Sequence, residues 1–248
     1  MKKKAQLIDS LAKETGHAKN VANFEDLISF CTGYGTKYDP SQNQIELTSL
    51  NTIHTNAQNT LIDVNTALAP WTIAINERQL AYEPVSKLTT RLINALDAAG
   101  ETDKVVADAR TIGRKITGVR KSKKIENPDP EDKKNISASQ QSYDNRLENF
   151  SKLKVLLAQV QLYDPNETEL KISTLETLIA DLKAKNTAVV STTTPLSNAR
   201  IERNKILYNK NTGLVDVAFE AKKYVKSVFG ATSPEYKQIS SIRFTRPR

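Results

Sequence analysis

Cysteine and histidine are scarce in this sequence. Its 248 residues include one cysteine, Cys31, and two histidines, His17 and His54. A single cysteine excludes an internal disulfide and fits a reducing compartment, so we expect a cytoplasmic protein. Neither histidine lies in an E-x-x-H or H-x-x-x-H pattern, so a zinc or di-iron site lacks its usual ligands. We therefore expect no metal, and we interpret Cys31 as a buried structural thiol and His54 as a solvated helix residue.

The eight glycines form none of the common catalytic or phosphate-binding motifs. TGYG at 32–35 lacks the G-x-x-x-x-G-K-[ST] spacing, and neither G-x-G-x-x-G nor G-x-S-x-G occurs. Apolar runs are also short, so we expect no membrane-spanning helix. The basic start, MKKKAQLIDS, is not followed by an apolar core, which is unlike a secretory signal. We expect no catalytic or cofactor-binding residues and no enzymatic activity.

Positive charge is in excess. The chain has 36 Lys and Arg against 28 Asp and Glu, for a formal net charge of +8, and 38% of its residues are hydrophobic. That apolar fraction is sufficient for a real core at this length. The basic balance permits binding to nucleic acid, to an anionic membrane surface or to an acidic protein, and requires none of them.

One pattern occurs twice in the chain. YDPSQNQIELTSLNTI at 38–53 is similar to YDPNETELKISTLETL at 163–178, and KITGVR at 115–120 is similar to QISSIR at 238–243. Self-similarity of this length indicates two domain-sized copies rather than a solenoid repeat. The predicted organisation is an N-terminal extension at 1–19, copy one at 20–121, a charged linker at 122–137, copy two at 138–243 and a basic tail at 244–248. We expect the two copies to form one structural unit.

Apolar residues recur at helical spacing almost throughout, which predicts an all-α fold. We predict one long helix in each copy, at about 48–82 and about 173–208, kinked at Pro70 and Pro195. The alternative is a turn at each proline. Shorter helices, antiparallel to the long ones, are predicted at about 20–36, 85–98, 138–162 and 212–229, with a short fourth helix ending each copy. Paired halves would give an elongated rod resembling a four-helix bundle.

Local signals predict the joints between these helices. Tyr-Asp-Pro should end a helix in each copy, because proline disfavours helical geometry in the residue before it. IEL at 45–47 and LKI at 170–172 alternate apolar and polar residues and are predicted to be extended. Ser173 and Glu176 have the spacing of a capping box. Gly100 and Gly230 are suitable C-terminal caps, and Ser233 is a suitable N-cap.

A Glu-Arg pair occupies matching places in the two long helices. The residues are Glu77, Arg78, Glu202 and Arg203. We interpret them as an interhelical ion-pair layer that fixes register. A pair of carboxylates for acid–base chemistry is the alternative. The structural interpretation is favoured, because a duplicated chain is expected to duplicate a packing device, whereas duplicated catalytic residues are uncommon.

Basic residues cluster where each copy ends. The candidate anion or nucleic-acid contacts are Arg114, Lys115, Arg120, Lys121, Lys123, Lys124, Arg243, Arg246 and Arg248. They could bind phosphates. Only Phe244 offers a stacking ring among them, which poorly supports a single-strand platform. Solvated helix ends and an exposed linker are the favoured interpretation.

The second copy carries a resemblance. YVKSVFGATSPEYKQISSIRF at 224–244, with LYNKNTGLVDVA at 207–218, resembles uncharacterised all-helical proteins of Bacteroidota. The resemblance implies a helical fold and no catalytic motif, and it is compatible with carriage by a phage or mobile element. The sequence therefore predicts a non-enzymatic helical protein that binds or scaffolds an unknown protein partner. A nucleic-acid- or ribosome-associated protein is the alternative, and a helical pore-former or toxin is a weaker one.

Overall fold

A computed structural model describes residues 16–118 and 141–247. Over these ranges the regular structure is entirely helical, which confirms the predicted all-α class. The α-helices are α1 His17–Gly33, α2 Leu47–Tyr82, α3 Val85–Ala98, α4 Asp103–Thr117, α5 Tyr143–Gln159, α6 Ile172–Tyr208, α7 Leu214–Phe229 and α8 Pro234–Ser240. Short 3-10 helices occupy Gly35–Lys37, Asn43–Ile45 and Thr168–Leu170.

The two long helices continue through their prolines. Pro70 lies inside α2 and Pro195 lies inside α6, so the alternative of a turn at each proline is wrong. A proline has no N–H to donate, which leaves one carbonyl of the preceding turn without its helical partner. Just before Pro195, the hydroxyls of Thr192 and Thr193 donate to carbonyls three or four residues earlier, at 2.7–3.1 Å. Such back-bonding is common where helices bend.

The chain divides into two compact units. Of the described residues, unit 1 contains 16–69 and 194–247, and unit 2 contains 70–118 and 141–193. The division falls at Pro70 and beside Pro195, so each long helix contributes to both units. Each predicted copy therefore contributes to both units. The tandem-copy organisation itself stays a prediction.

Each unit has its own apolar core. In unit 1, α1 packs on α7 and α8, and the fully buried side chains include Phe24, Leu50 and Val225. In unit 2, α4 packs on α3 and α5 around side chains that include Phe150 and Leu92. Burying a side chain of this size stabilises a fold by about 1.5–3 kcal/mol. Each unit therefore carries the apolar burial that a compact domain requires.

Helix α3 in unit 2 and helix α7 in unit 1 bury positions with the same spacing. In α3 these positions are Val85, Thr89, Leu92, Ile93 and Leu96, and in α7 they include Leu214, Ala218, Ala221, Lys222 and Val225. Side chains at this spacing share one helix face. The position of Ile93 in α3 therefore corresponds to that of Lys222 in α7.

The tyrosine of each Tyr-Asp-Pro sequence is hydrogen-bonded to the last residue of the 3-10 helix that follows it. Both tyrosines are buried, and each donates its hydroxyl to a carbonyl seven residues later: Tyr38 to Ile45 at 2.7 Å and Tyr163 to Leu170 at 2.9 Å. This bond holds the chain in a compact turn. Of IEL and LKI, which were predicted to be extended, only the middle residues Glu46 and Lys171 are extended, because the first residue of each ends a 3-10 helix and the last begins α2 or α6. The preceding helices have already ended when each Tyr-Asp-Pro begins.

The predicted helix caps are only partly confirmed. Gly100 and Gly230 have φ angles of 80° and 90°, in the left-handed region that favours glycine. Ser233 accepts a hydrogen bond from the backbone N–H of Tyr236 at 3.0 Å, as an N-cap should. The capping box at Ser173 is wrong, because α6 already begins at Ile172. Its glutamate, Glu176, instead pairs with Lys154 at 3.2 Å.

Removing either buried tyrosine hydroxyl should destabilise the protein. We expect Tyr38→Phe and Tyr163→Phe each to lower the free energy of unfolding by about 1–2 kcal/mol, because each leaves a buried carbonyl unpaired. Urea denaturation measures the loss. Tyr143→Phe is the matched control, since its hydroxyl makes no hydrogen bond to the described residues. A loss in the control equal to that at Tyr38 would contradict the assigned role.

Candidate functional site

A surface cleft of about 760 Å³ lies beside α7 in unit 1. It is lined by the adjacent lysines Lys222 and Lys223, by Lys226 one turn later, and by the aromatic residues Phe219 and Tyr236. These five residues define what we call the lysine cleft. The Phe219 side chain is 42% exposed, so an apolar surface is accessible next to the ammonium groups.

The acidic residues of the cleft are already paired. Glu220 accepts from Lys223 at 2.7 Å, and Asp216 forms an ion pair with Arg246. The backbone N–H of Asn211 and the Arg246 guanidinium lower the pKa of Asp216, so it stays ionised. Because both carboxylates have cationic partners, neither is available to neutralise the remaining lysines.

The other two lysines lie against aromatic rings. The Lys226 ammonium is 5.6 Å from the centre of the Tyr236 ring, and that of Lys222 is 5.3 Å from the centre of the Phe244 ring. Lys222 is 9% exposed and also donates to the carbonyl of Ile242. Burial lowers the pKa of its ammonium. Within the part of the chain that the structure describes, neither lysine has a carboxylate partner, so the lysine cleft carries excess positive charge.

In unit 2, helix α3 buries a face of the same spacing as α7, and that face carries no lysines. The residues of α3 that correspond to Lys222, Lys223 and Lys226 are Ile93, Asn94 and Asp97. Since α3 buries its face with the same spacing, packing alone does not require lysine at any of these positions. Lys223 and Lys226 are therefore candidates for function, whereas Lys222 also holds the C-terminal segment through Ile242 and Phe244.

The C-terminal segment lies against unit 1 through its backbone. The amide of Asn20 donates to the carbonyl of Thr245 at 2.6 Å and accepts from the Thr245 N–H at 3.0 Å. Asn23 donates to the carbonyl of Arg243 at 2.6 Å. Phe244 makes edge contacts with two phenylalanine rings, including Phe24 at a centroid distance of 6.5 Å. The basic tail is thus docked as far as Arg246.

The predicted anion contacts lie in both units. Arg114 and Lys115, near the end of α4, belong to unit 2, and Arg114 donates to the Thr111 hydroxyl at 2.7 Å. Arg243 and Arg246 belong to unit 1, where Arg243 is exposed and Arg246 is paired. The remaining candidates lie outside the described residues: Arg120, Lys121, Lys123, Lys124 and Arg248. Nucleic-acid contact by these clusters stays a prediction.

The first Glu-Arg pair lies in unit 2. Glu77 pairs with Lys185 of α6 at 3.0 Å, and the guanidinium of Arg78 lies 4.1 Å from the centre of the Tyr143 ring. The Glu77 pair is half-exposed, and exposed pairs contribute at most about 1 kcal/mol. These contacts join α2 to α5 and α6 within unit 2, which is a packing role.

The second Glu-Arg pair lies in unit 1 and has local partners. Glu202 pairs with Lys205 one turn later at 3.4 Å, and Arg203 donates to the side chain of Asn204 at 2.9 Å. Each member of the predicted four-residue layer therefore has a contact inside its own unit. The layer itself stays a prediction.

An arginine caps the end of each long helix, a role the sequence did not suggest. Arg146 donates to the carbonyl of Tyr82 at 3.3 Å, and Arg246 donates to the carbonyl of Tyr208 at 3.4 Å. These tyrosines are the last residues of α2 and α6. A cation at a helix C-terminus is favourable, because the last carbonyls lack helical partners and carry partial negative charge. Arg246 is consequently engaged twice, with Tyr208 and with Asp216.

The cysteine behaves as predicted and one histidine does not. Cys31 is fully buried, and burial raises the pKa of its thiol to about 12. His54 is only 9% exposed, so its prediction as a solvated residue is wrong. It lies four residues after Leu50 and three before Ala57, and both are fully buried. That spacing turns His54 toward the core.

We expect Cys31 to be inert in the folded protein. Only the thiolate reacts with disulfide reagents, so a pKa of about 12 instead of 9.0 should slow labelling at mildly alkaline pH by about a thousandfold. The raised pKa also means that the stability contributed by the protonated thiol is lost as pH rises from 9.0 toward about 12. Labelling by dithionitrobenzoate, with and without guanidinium chloride, measures how far the native fold slows the reaction of the thiol. Rapid labelling of the native protein would contradict it.

The described ranges offer neither a metal site nor a membrane-spanning helix. No group of three or more His, Cys, Asp or Glu residues there could hold a metal ion. None of the described helices is long and apolar enough to cross a membrane. No protein-family model matches the chain, and no curated protein or solved structure is significantly similar to it. Function must therefore be argued from the site itself.

The lysine cleft was not predicted from the sequence. One signal was present: Lys222 occupies a position of α7 where helical spacing places a buried residue. Apolar packing alone does not explain a lysine at a buried position of a helix. Its neighbours in the cleft come from α8 and from the segment around residue 44, and no local pattern shows that these meet α7.

Proposed function

We propose that the protein is a non-enzymatic binding protein whose lysine cleft receives an acidic segment of a partner protein. The observation that carries the proposal is that Lys222 and Lys226 line an open cleft with no carboxylate partner among the described residues. Their ammonium groups lie against aromatic rings instead. An incoming glutamate or aspartate would supply the missing partner.

The chemistry of the cleft favours a peptide that is both acidic and apolar. A hydrogen bond to a charged group stabilises by about 1.5–3 kcal/mol when it forms in a partly dry site. Exposed Phe219 adds a surface for an apolar side chain next to the charge. Aromatic residues surrounded by polar groups are typical of contact sites between proteins. We therefore expect a partner segment that has acidic residues flanking an apolar one.

Nucleic acid is the competing partner for the positive charge. Binding of a single strand relies on exposed aromatic rings that stack with bases. The ring of Phe244 is instead packed against Phe24 and Phe219, and Arg246 is paired with Asp216. These contacts make the C-terminal cluster a poorer phosphate site than the sequence suggests, and they support the protein partner.

Two further parts of the proposal concern origin and location. We propose that the chain is a tandem duplication, supported by the matched tyrosine bonds at Tyr38 and Tyr163. The proposed location is the cytoplasm, supported by the single buried cysteine, Cys31.

Three labelled probes test the proposed function. Fluorescence anisotropy would compare a peptide alternating glutamate with phenylalanine and leucine, the same peptide with glutamine in place of glutamate, and a single-stranded oligonucleotide. We expect the acidic peptide to bind roughly tenfold or more tightly than either of the others, and to weaken as salt rises. Equal binding of the glutamine peptide would overturn the role of charge. Tighter binding of the oligonucleotide would favour the nucleic-acid alternative.

A further inference from the structure

A cleft of about 530 Å³ lies in unit 2, lined by the C-terminal half of α3 and by the second Tyr-Asp-Pro sequence. Helix α3 and the residue after it contribute three small side chains, Ala95, Ala98 and Ala99. We call this space the alanine cleft; its other lining residues include Tyr163, Asp164 and Glu167. Its volume is within the range of sites that hold small molecules.

In unit 1, a tyrosine ring covers the matching Tyr-Asp-Pro sequence. The ring of Tyr224 in α7 lies at right angles to the ring of Tyr38, with 5.3 Å between the two centres. The backbone N–H of Asp39 donates to the Tyr224 hydroxyl at 3.2 Å. An edge-to-face ring pair stabilises by about 0.5–1.5 kcal/mol beyond its apolar burial. Within unit 1, a Tyr-Asp-Pro turn therefore holds a phenol ring on its surface.

The Tyr-Asp-Pro turns of the two units are held in the same way. Tyr38 and Tyr163 each donate to a carbonyl of the 3-10 helix that follows, at 2.7 and 2.9 Å. That 3-10 helix packs on α7 in unit 1 and on α3 in unit 2. Helix α3 therefore meets the second Tyr-Asp-Pro turn as α7 meets the first.

In α3, an alanine stands where α7 has the tyrosine. Tyr224 directly precedes buried Val225, and Ale95 directly precedes buried Leu96, at corresponding positions of the two helices. Ala95 lines the alanine cleft beside the second Tyr-Asp-Pro sequence, and the space next to it is open. Leu162, which is 55% exposed, also lines the cleft and offers an apolar surface to a ring. Unit 2 thus has room for a ring that its own chain does not supply.

The charge of the alanine cleft is negative, although the chain has a formal net charge of +8. Asp164 and Glu167 line the cleft, and neither carboxylate has a cationic partner among the described residues. Arg91 also lines it, but its guanidinium is paired with Glu169. Burial and the nearby charge of Glu167 raise the pKa of the Tyr163 hydroxyl to about 12. A positively charged ligand group would therefore be attracted to this cleft.

We infer that the alanine cleft binds a small aromatic cation, with its ring beside Ala95 and its ammonium group at Asp164 and Glu167. The ring would contact the second Tyr-Asp-Pro turn as the Tyr224 ring contacts the first. The ammonium group would supply the cationic partner that the two carboxylates lack. An arylalkylamine is the simplest molecule that carries both groups. The inference does not depend on the lysine cleft, which belongs to unit 1 and attracts the opposite charge.

Phenethylamine, which is a cation at neutral pH, is the probe. Ligand-detected NMR with the full chain would compare it with 3-phenylpropionate, which has a ring and the opposite charge, and with ethylamine, which lacks the ring. We expect phenethylamine to bind roughly tenfold or more tightly than either, because the ring and the charge are recognised together. Equal binding of 3-phenylpropionate would overturn the role of the carboxylates. Equal binding of ethylamine would overturn the role of the ring.

Filling the cleft is a second test. Ala95→Tyr gives α3 the residue that α7 has at the corresponding position, so the new ring should cover the second Tyr-Asp-Pro turn. We expect this variant to bind phenethylamine at least tenfold more weakly, whereas Ala95→Ser, which adds a single oxygen atom, should keep the affinity. Unchanged binding by a folded Ala95→Tyr variant would overturn the site.

Removing the charges tests the site without adding bulk. Asp164→Asn combined with Glu167→Gln keeps the size of both side chains, which are exposed, so we expect the variant to fold. Phenethylamine binding should weaken roughly tenfold. Asp108→Asn with Asp181→Asn is the matched control, since both residues are exposed, belong to unit 2 and do not line the cleft. Equal affinity in the two double variants would overturn the site, whether or not Ala95→Tyr folds.

Discussion

Replacing Asn20 by aspartate is expected to lower the free energy of unfolding by about 3 kcal/mol or more. Asn20 is 1% exposed, and its amide exchanges two hydrogen bonds with the backbone of Thr245. A carboxylate has no N–H to give to the Thr245 carbonyl, now 2.6 Å from the Asn20 nitrogen. The change would therefore bury a negative charge against an acceptor, which costs more than losing the bond.

Urea denaturation and limited proteolysis check this prediction together. The denaturation midpoint should fall, and the C-terminal segment should become sensitive to trypsin before the helices do, because Asn20 holds its backbone. Asn59→Asp is the matched control, since Asn59 is exposed on α2. We expect the control to change stability by less than about 0.5 kcal/mol. Equal losses in the two variants would show that Asn20 does not hold the segment.

Giving α7 the residues of α3 is expected to abolish recognition of the acidic peptide. The triple variant Lys222→Ile, Lys223→Asn and Lys226→Asp carries the side chains found at the corresponding positions of unit 2. It removes both lysines that have no carboxylate partner and adds a repelling carboxylate. At about 1.5–3 kcal/mol for each charged contact, two lost contacts correspond to at least a hundredfold weaker binding.

The control for the triple variant must change net charge equally. Lys104→Asp with Lys183→Asp does so, and both lysines are exposed and lie in unit 2. Anisotropy at fixed salt would compare the three proteins. A hundredfold loss only in the triple variant would support a local site. Similar losses of affinity in both variants would indicate that peptide binding depends only on the overall charge of the protein.

The local features of the fold were predictable from the sequence. The end of α2 at Tyr82 and the limits of α3 at 85 and 98 agree with the predicted boundaries. Apolar residues at helical spacing and the adjacent Pro and Gly residues determine these limits, and both signals act within a few residues. The continuity of α2 through Pro70 was also predicted, since one helix at about 48–82 was expected there.

The long-range features were not predictable in the same way. Which half of each long helix joins which unit depends on contacts between residues far apart in sequence, such as those of Asn20 with Thr245. The burial of His54 and the docking of the C-terminal segment depend on the same kind of contact. The lysine cleft belongs to this class too, since Lys226 of α7 meets Tyr236 of α8 only in the folded unit.

The central claim is that an acidic segment binds at the lysines of α7. Zero-length carbodiimide coupling tests it directly, because it joins a carboxylate to an amine only when the two are in contact. The acidic peptide would be coupled to the native protein, and the modified lysine identified by mass spectrometry. We predict the peptide mainly at Lys226, the exposed lysine of the cleft that has no carboxylate partner among the described residues. Coupling spread evenly over exposed lysines such as Lys104 and Lys183, or found only in unit 2, would contradict the account.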